Sequence, residues 1–557
     1  MNIALVRIPK DFWPFIAEMN DYYISQLISY IMQKFKKYSL KVDIYDYMLN
    51  PELDIEKLID NTYDIILVIK HYPQPLSLTR RFSVNIKLHN KETLIGLWGM
   101  GIGANYEEPL IDRYADFIVV GDEASVADLI YNIYYYSDFT RTKGIAYRNN
   151  NNKIIINYPI LKIQNLDQLP LPYLYHIMED AYKYSKYSIS DAVEIMTSRG
   201  CYANCSFCHV SYSKSIDNSY KWYQMSPKKV VNIIYEFNKK FGIKIFRMKD
   251  LDFFGPNPKR VIDIANGIIE NNLDVTIYAY TRAENIIKIK DKLKLLNRAG
   301  IKYILLGIET FSDKKLKLLN KGTNSKINIE SINELIINNF CVDISLIPYS
   351  AFDTLEDIRT DLITLKNLLL SLPMLKRAQI KSLPMSLGNV FEYYGDFNKL
   401  KMHNFNKVLT IDNEILQSYL ALLRLVSDPN YGPIPWFKDE KVPIVGLLAY
   451  ILSSIIVTKT IEVYSYMKRF KNKDEIKDIL KWELQINEFA VDLLLKILDI
   501  IYKIEKINLY NFNELIKIIL DQFQIFNSKL PKNLQKIELP SHLKWLQIII
   551  NSDITDH

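Results

Sequence analysis

Val193-Glu-Ile-Met-Thr197-Ser-Arg-Gly-Cys201-Tyr-Ala-Asn-Cys205-Ser-Phe-Cys208-His209 is the stretch on which the reading of this chain turns. It opens as an apolar strand, breaks at a glycine, and places three of the four cysteines at the spacing C-x3-C-x2-C. Four cysteines in 557 residues exclude a disulfide scaffold. Three thiolates on one loop can each take one iron of a 4Fe–4S cube, leaving the last iron open to an exogenous ligand. Zinc is the alternative, with His209 or Cys341 completing a tetrahedral site, although zinc sites normally pair two short clips and no second clip is present. The plainest reading, three unrelated buried thiols, fits the tight spacing poorly.

Around that loop the chain has a βα rhythm. Val193–Thr197, Lys244–Met248, Asp274–Tyr280, Tyr303–Leu306, Asp343–Ile347 and Ala378–Ser382 read as strands separated by helix patterns. One helix opens with Ser226-Pro227, an N-cap followed by proline at the first helical position. Such a series predicts a partial (β/α)6 barrel, whose ligands gather at the carboxyl ends of its strands. Upstream, Ile3–Val6, Val42–Tyr45, Ile65–Ile69, Leu94–Leu97 and Phe117–Val120 predict a doubly wound, Rossmann-like parallel sheet. Arg148 to Pro172 reads as a hairpin and then an extended, proline-punctuated linker. From about Gly388 the strand signal ends and helices rich in Leu, Ile and Lys follow. The fold class is therefore α/β, with expected domains at 1–150, a linker at 151–185, a barrel at 186–385 and a helical domain at 386–557.

Composition narrows the function. Apolar residues at 49% and charged residues at 24% are those of an ordinary globular protein. A net charge of +7 without a clustered patch gives no ground for a nucleic-acid partner. The longest uncharged run, Val442 to Thr458, contains Pro443, Ser453 and Ser454 and falls short of the ~20 residues a membrane span needs. It reads as a buried helix, and a soluble, cytoplasmic protein is expected.

The cysteine spacing, with Phe207 before the last cysteine and a barrel strand before the first, resembles the radical S-adenosylmethionine (SAM) superfamily. Thr197-Ser-Arg-Gly-Cys, Phe246-Arg-Met-Lys-Asp250, Thr281-Arg282, Leu306-Gly-Ile-Glu309-Thr and Leu319-Asn-Lys321-Gly are similar to blocks of its cobalamin-binding subgroup. So are Gly99-Met-Gly101-Ile-Gly103, Val120-Gly-Asp-Glu123-Ala and Leu169-Pro-Leu-Pro172, and the likeness runs over roughly residues 1 to 385. The resemblance implies three cofactors: a 4Fe–4S cluster on Cys201, Cys205 and Cys208, SAM, and cobalamin. It places SAM against Phe207, with Asp250 accepting from its ammonium (Asp252 competes, and only the motif register favours Asp250), Arg282 pairing with its carboxylate and Glu309 accepting from its ribose. The alternative for each of these strand-end residues is an ordinary salt bridge, and their position favours the functional reading.

In the N-terminal sheet the resemblance places cobalamin against Gly99, Gly101, Gly103, Gly121 and Glu123. A glycine run alone is equally a tight βα turn. Cobalamin carriers with an Asp-x-His-x-x-Gly loop ligate cobalt through its histidine. Here that loop is Arg7-Ile-Pro-Lys-Asp-Phe-Trp13-Pro, so the cobalt is expected without that ligand. His71 and Tyr72 follow the third strand and are candidates to lie under the corrin, though a lone histidine at a strand end is often structural.

The expected activity is that of a transferase: a cobalamin-dependent radical SAM methyltransferase acting on an unactivated carbon of a peptide or natural-product substrate. In that reading a 5′-deoxyadenosyl radical abstracts hydrogen and methylcobalamin donates methyl. An electron donor such as flavodoxin or ferredoxin is implied. Rearrangement, oxidation or cyclisation with the same parts is the first alternative. A methylthiotransferase would need a second cluster in the N-terminal domain, where no cysteine precedes Cys201. A zinc-stabilised, non-enzymatic binding protein is the remaining alternative.

Overall fold

Five apolar residues in a row, Ile65–Ile69, form a strand buried over its whole length, the mark of a parallel sheet covered on both faces. The computed structural model describes residues 1–8, 21–60, 62–69, 76–99, 107–183, 191–208, 210–211, 214, 222–350, 353–377, 379–381, 383, 439, 441–469, 473–537, 539 and 543. The N-terminal sheet comprises β1 (Asn2–Arg7), β2 (Lys41–Asp46), β3 (Ile65–Ile69), β4 (Leu94–Trp98), β5 (Phe117–Val119), β6 (Ile145–Arg148) and β7 (Ile154–Ile156). Its order is β2-β1-β3-β4-β5-β6-β7. The first five strands are parallel, and the β6–β7 hairpin adds antiparallel. Two separate apolar clusters cover its faces. The five expected strands are all present. Strand order reverses between β1 and β3, a switch point at which open α/β sheets bind ligands beyond the strand ends.

The second sheet comprises β8 (Ala192–Ile195), β11 (Ile245–Met248), β12 (Thr276–Arg282), β13 (Ile301–Glu309), β14 (Cys341–Leu346) and β15 (Ile380–Lys381). All its pairings are parallel and its order follows the chain, as in a barrel left open at one side. A small antiparallel pair, β9 (Ser198–Arg199) with β10 (Tyr223–Gln224), stands just above β8. Ser226 caps the helix Pro227–Phe241, and Gly242 at φ 70° ends it. Along β13, Ile304, Leu306 and Ile308 are fully buried, whereas Tyr303 on the other face is 38% exposed. That inner face is polar: Arg247 donates to the Tyr280 hydroxyl at 2.8 Å, and the Tyr278 hydroxyl to Asp343 at 2.6 Å.

Helices Val442–Arg469, Lys473–Lys503 and Leu509–Asn527 follow and share one continuous apolar core with the second sheet. The expected boundary near 385 lies outside the described residues. Asn487 donates to the carbonyl of Ile380 at 2.8 Å, so the helix Lys473–Lys503 covers the sheet edge at β15. Its Glu483 and Glu488 pair with Lys381 and Arg377 at 3.1 and 2.6 Å, and Asp492 pairs with Lys366 at 2.8 Å. Val442–Val463 is long and apolar enough to cross a membrane, but 67% of that window is buried inside the protein. Gly446 lets this helix pack closely on Tyr349, which a Cβ would approach to 3.3 Å.

Exposed ion pairs contribute little, and buried apolar area holds the helices down. Asp492→Ala is expected to cost at most about 1 kcal/mol, and Trp482→Ala, at a fully buried ring, about 3–5 kcal/mol. Urea unfolding followed by helical circular dichroism measures both.

Between the sheets, His176 is buried, with Nε2 donating to the carbonyl of Ala192 at 2.9 Å and Nδ1 without a partner. Burial pushes its pKa down from 6.5 to about 4. The folded state therefore binds this proton less tightly than the unfolded chain. Its contribution is complete above pH ~6.5 and is lost as pH falls toward ~4, about 3 kcal/mol in all. His176→Gln should flatten the dependence of stability on pH across that window.

Candidate active site

Beyond β8 the chain turns sharply, and buried carboxylates hold the turn. Asp250, just past β11, accepts from Thr197 Oγ1 at 2.8 Å, Ser198 Oγ at 2.5 Å and the Thr197 amide at 3.1 Å. Arg260 supports the same residue, donating to Thr197 Oγ1 at 2.7 Å and its carbonyl at 3.1 Å. Gly200, at φ 71°, then turns the backbone into Cys201. Asp252 accepts from the Tyr202 hydroxyl at 2.9 Å, Thr281 Oγ1 at 2.9 Å and Asn285 at 3.0 Å. Ser206 bonds the carbonyls of Leu318 and Leu319, both at 2.9 Å. The three thiols thus sit on a loop pinned to the carboxyl ends of several barrel strands.

Arg282, at the end of β12, donates to Cys205 Sγ at 3.2 Å, to the carbonyl of Lys321 and to Glu284. Lys321 pairs with Glu309 at 2.6 Å, and its ammonium lies 5.8 Å from the centre of the Phe207 ring. Glu309 itself is left-handed, at φ 65°, beside a register shift between β13 and β14 that re-aims its side chain. Gly307 leaves the room, since a Cβ there would come within 2.8 Å of Lys321 Nζ.

Arg282 therefore stands beside Cys205, and Lys321 connects it to Glu309 and Phe207. Asp250 is not among them: its oxygens are committed to Thr197 and Ser198, so it positions the loop. Lys321 links the group, and its place in a quoted sequence block was its only signal.

The expected cobalamin contacts divide. His71, Tyr72, Gly101 and Gly103 lie outside the described residues. Gly99 has φ 140°, a conformation that favours glycine. Gly121 is required by packing, because a Cβ would collide with Ser125 and come within 2.8 Å of the carbonyl of Leu161. Glu123 is buried, and both its oxygens accept from Arg199 of the cysteine loop, at 2.7 and 2.8 Å. Its carboxylate is thus spent between the two sheets and not on a ligand.

The donor set fits an iron–sulfur cluster. Burial pushes the Cys208 thiol up to about 11 and raises that of Cys201, so thiolates here need a positive charge such as iron supplies. Among the described residues no three His, Cys, Asp or Glu side chains converge as ligands of a single ion. Three corners of a cube need no common point. Cys341 begins β14 beside Tyr303, whereas Glu309 and the cysteine loop stand at the other end of the sheet. At about 3.3 Å per residue that is ~20 Å away, which removes Cys341 as a fourth ligand.

Residues 195–362 match the family described as the Radical SAM superfamily. A 4Fe–4S cluster and SAM are its working parts. More particularly, the chain shares its fold with a solved cobalamin-dependent radical enzyme. It superposes on the cobalamin-dependent S-adenosylmethionine radical enzyme OxsB, with aqua-cobalamin and S-adenosylmethionine bound, at a TM-score of 0.66 and 17% identity, covering 99% of this chain and 83% of that one.

An anaerobic magnesium-protoporphyrin IX monomethyl ester cyclase of Synechocystis is 33% identical over 42% of the chain and 44% of its own length. An uncharacterized methyltransferase of Pyrococcus horikoshii is 30% identical over 34% and 39%. The chain spans about two fifths of the length of these curated relatives.

Removing the Asp250 carboxylate leaves the Thr197 amide and the Thr197 and Ser198 hydroxyls without their acceptor and Arg260 without its compensating charge, a loss of about 3–5 kcal/mol at a buried charge. Asp250→Ala is expected to retain less than half the iron of the parent after anaerobic reconstitution and desalting, measured by iron analysis.

Proposed function

We propose that the chain is a cobalamin-dependent radical SAM enzyme that methylates an unactivated carbon of a peptide or natural-product substrate. The observation that carries this reading is the place of the cysteine loop. It is anchored on the carboxyl ends of the barrel strands, and its Arg199 reaches Asp122 and Glu123 at the carboxyl edge of the N-terminal sheet at 2.9 and 2.7 Å. Two ligand-binding edges therefore meet at one loop.

The fit to cobalamin rests on the switch-point topology and on glycine at position 99. When bound, the cluster and SAM supply a one-electron cleavage that yields a radical, and cobalamin supplies a methyl group. Arg282 donates a charge-assisted hydrogen bond to the Cys205 sulfur, a contact that would offset negative charge on a bound cluster. Arg282 and Glu309, poised beside Phe207, are the residues to orient SAM. An external electron donor such as flavodoxin or ferredoxin completes the system.

The name of the Pyrococcus relative supports methylation, and that of the Synechocystis relative supports a cyclisation by the same parts. SAM carrying a labelled methyl group separates them, since only a methyltransferase passes the label to product.

Cys201→Ala, Cys205→Ala and Cys208→Ala should each abolish 5′-deoxyadenosine formation, and Cys341→Ala should not. Titration with hydroxocobalamin should show saturable binding by its visible spectrum. Retained 5′-deoxyadenosine formation in Cys205→Ala, or a spectrum unchanged from free hydroxocobalamin, refutes the corresponding half of the assignment.

A further inference from the structure

Arg199 lies two residues before Cys201, and its neighbours on both sides are pinned to the barrel by buried carboxylates: Ser198 by Asp250, Tyr202 by Asp252. Its own side chain leaves the barrel. Nη1 donates to Asp122 at 2.9 Å and to Glu123 at 2.7 Å, Nη2 to the other Glu123 oxygen at 2.8 Å, and Nη2 stands 3.4 Å from the Tyr22 hydroxyl. The receiving side is equally fixed. Asp122 also accepts from the amides of Ala124 at 2.9 Å and Ile163 at 2.7 Å, and the carbonyl of Gly121 accepts from the Trp98 indole at 3.0 Å. Glu123 is 1% exposed. A planar guanidinium gripping a carboxylate through two parallel bonds fixes direction as well as distance.

We propose that Arg199 is a positioning residue that sets the separation and orientation of the cluster-bearing loop relative to the cobalamin edge of the N-terminal sheet. This rests on the cobalamin assignment above. The single guanidinium is braced on one side by the strand that leads into the first cluster ligand. On the other it is braced by the turn after β5, whose carbonyl bonds Trp98 at the end of β4. Lysine in its place keeps the charge and loses the two-pronged grip, so a positioning role separates the two residues where simple charge compensation does not.

The test uses the full chain, reconstituted anaerobically with iron and sulfide, loaded with hydroxocobalamin and reduced to the cobalt(II) form. The readout is the microwave power at which the cobalt(II) signal half-saturates, with the cluster oxidised and then reduced. A nearby paramagnetic cluster raises that power, and the effect falls steeply with distance. Wild type should show the increase. Arg199→Gln should lose at least two thirds of it while keeping iron and cobalamin contents at the parental level. Arg199→Lys should fall between the two.

Glu123→Gln, which approaches the same contact from the other side with an isosteric group, should reproduce the loss and serves if Arg199→Gln misfolds. An increase unchanged in Arg199→Gln or Glu123→Gln, with both cofactors present, overturns the proposal. A wild-type cobalt(II) signal identical to free cobalamin, with the cluster in place, overturns the cobalamin assignment itself, so the two failures are distinct.

Discussion

Two buried carboxylates hold the cysteine loop together. Asp250 and Asp252 follow β11 and receive seven hydrogen bonds from the cysteine loop, β12 and their own turn. Burial raises the pKa of each, and Arg260 and the surrounding donors offset that desolvation. A buried charge is tolerated only where every lone pair is answered, so the donors here have little freedom of geometry. The result is a loop tied to the barrel at Thr197, Ser198, Tyr202 and Ser206. Those ties fix the backbone that carries the three sulfurs.

The charge pattern around the thiols continues the same logic. Arg282 and Lys321 bring two buried cations to Cys205, and Glu284 and Glu309 compensate them. The carboxyl end of the barrel is thus electropositive next to the sulfur and balanced one residue further out. The amino end of the lumen carries Arg247, Tyr280, Tyr278 and Asp343 instead, with Arg247 also paired to Glu194. Polar groups at both ends serve different purposes, one to meet an anionic ligand set and the other to fill the lumen without orphaned donors.

Both sheets were legible in the sequence because each strand is a short apolar run and each crossover a helix-length segment. Ile65–Ile69 and Tyr303–Leu306 needed no tertiary information to be read. The cysteine spacing carried its chemistry in the same local way. Side-chain commitments were not legible, since their partners are remote: Asp250 bonds Thr197 across 53 positions and Arg199 meets Glu123 across 76. A carboxylate at a strand end looks the same in sequence whether it faces a ligand, as assigned to Glu309, or a loop, as Asp250 does. Glu123 misled for the same reason. The edge covering of β15 by the helix Lys473–Lys503 was equally hidden, because helical periodicity names an apolar face and not what it meets.

The central claim is that three thiols on one preordered loop carry a cluster with an open iron. It is tested most directly by electron paramagnetic resonance of the anaerobically reconstituted, reduced protein before and after SAM is added. About four irons per chain and a reduced-cluster signal whose g-values move on adding SAM are the expected result. Protein that holds zinc but no iron, or a cluster signal indifferent to SAM, contradicts it.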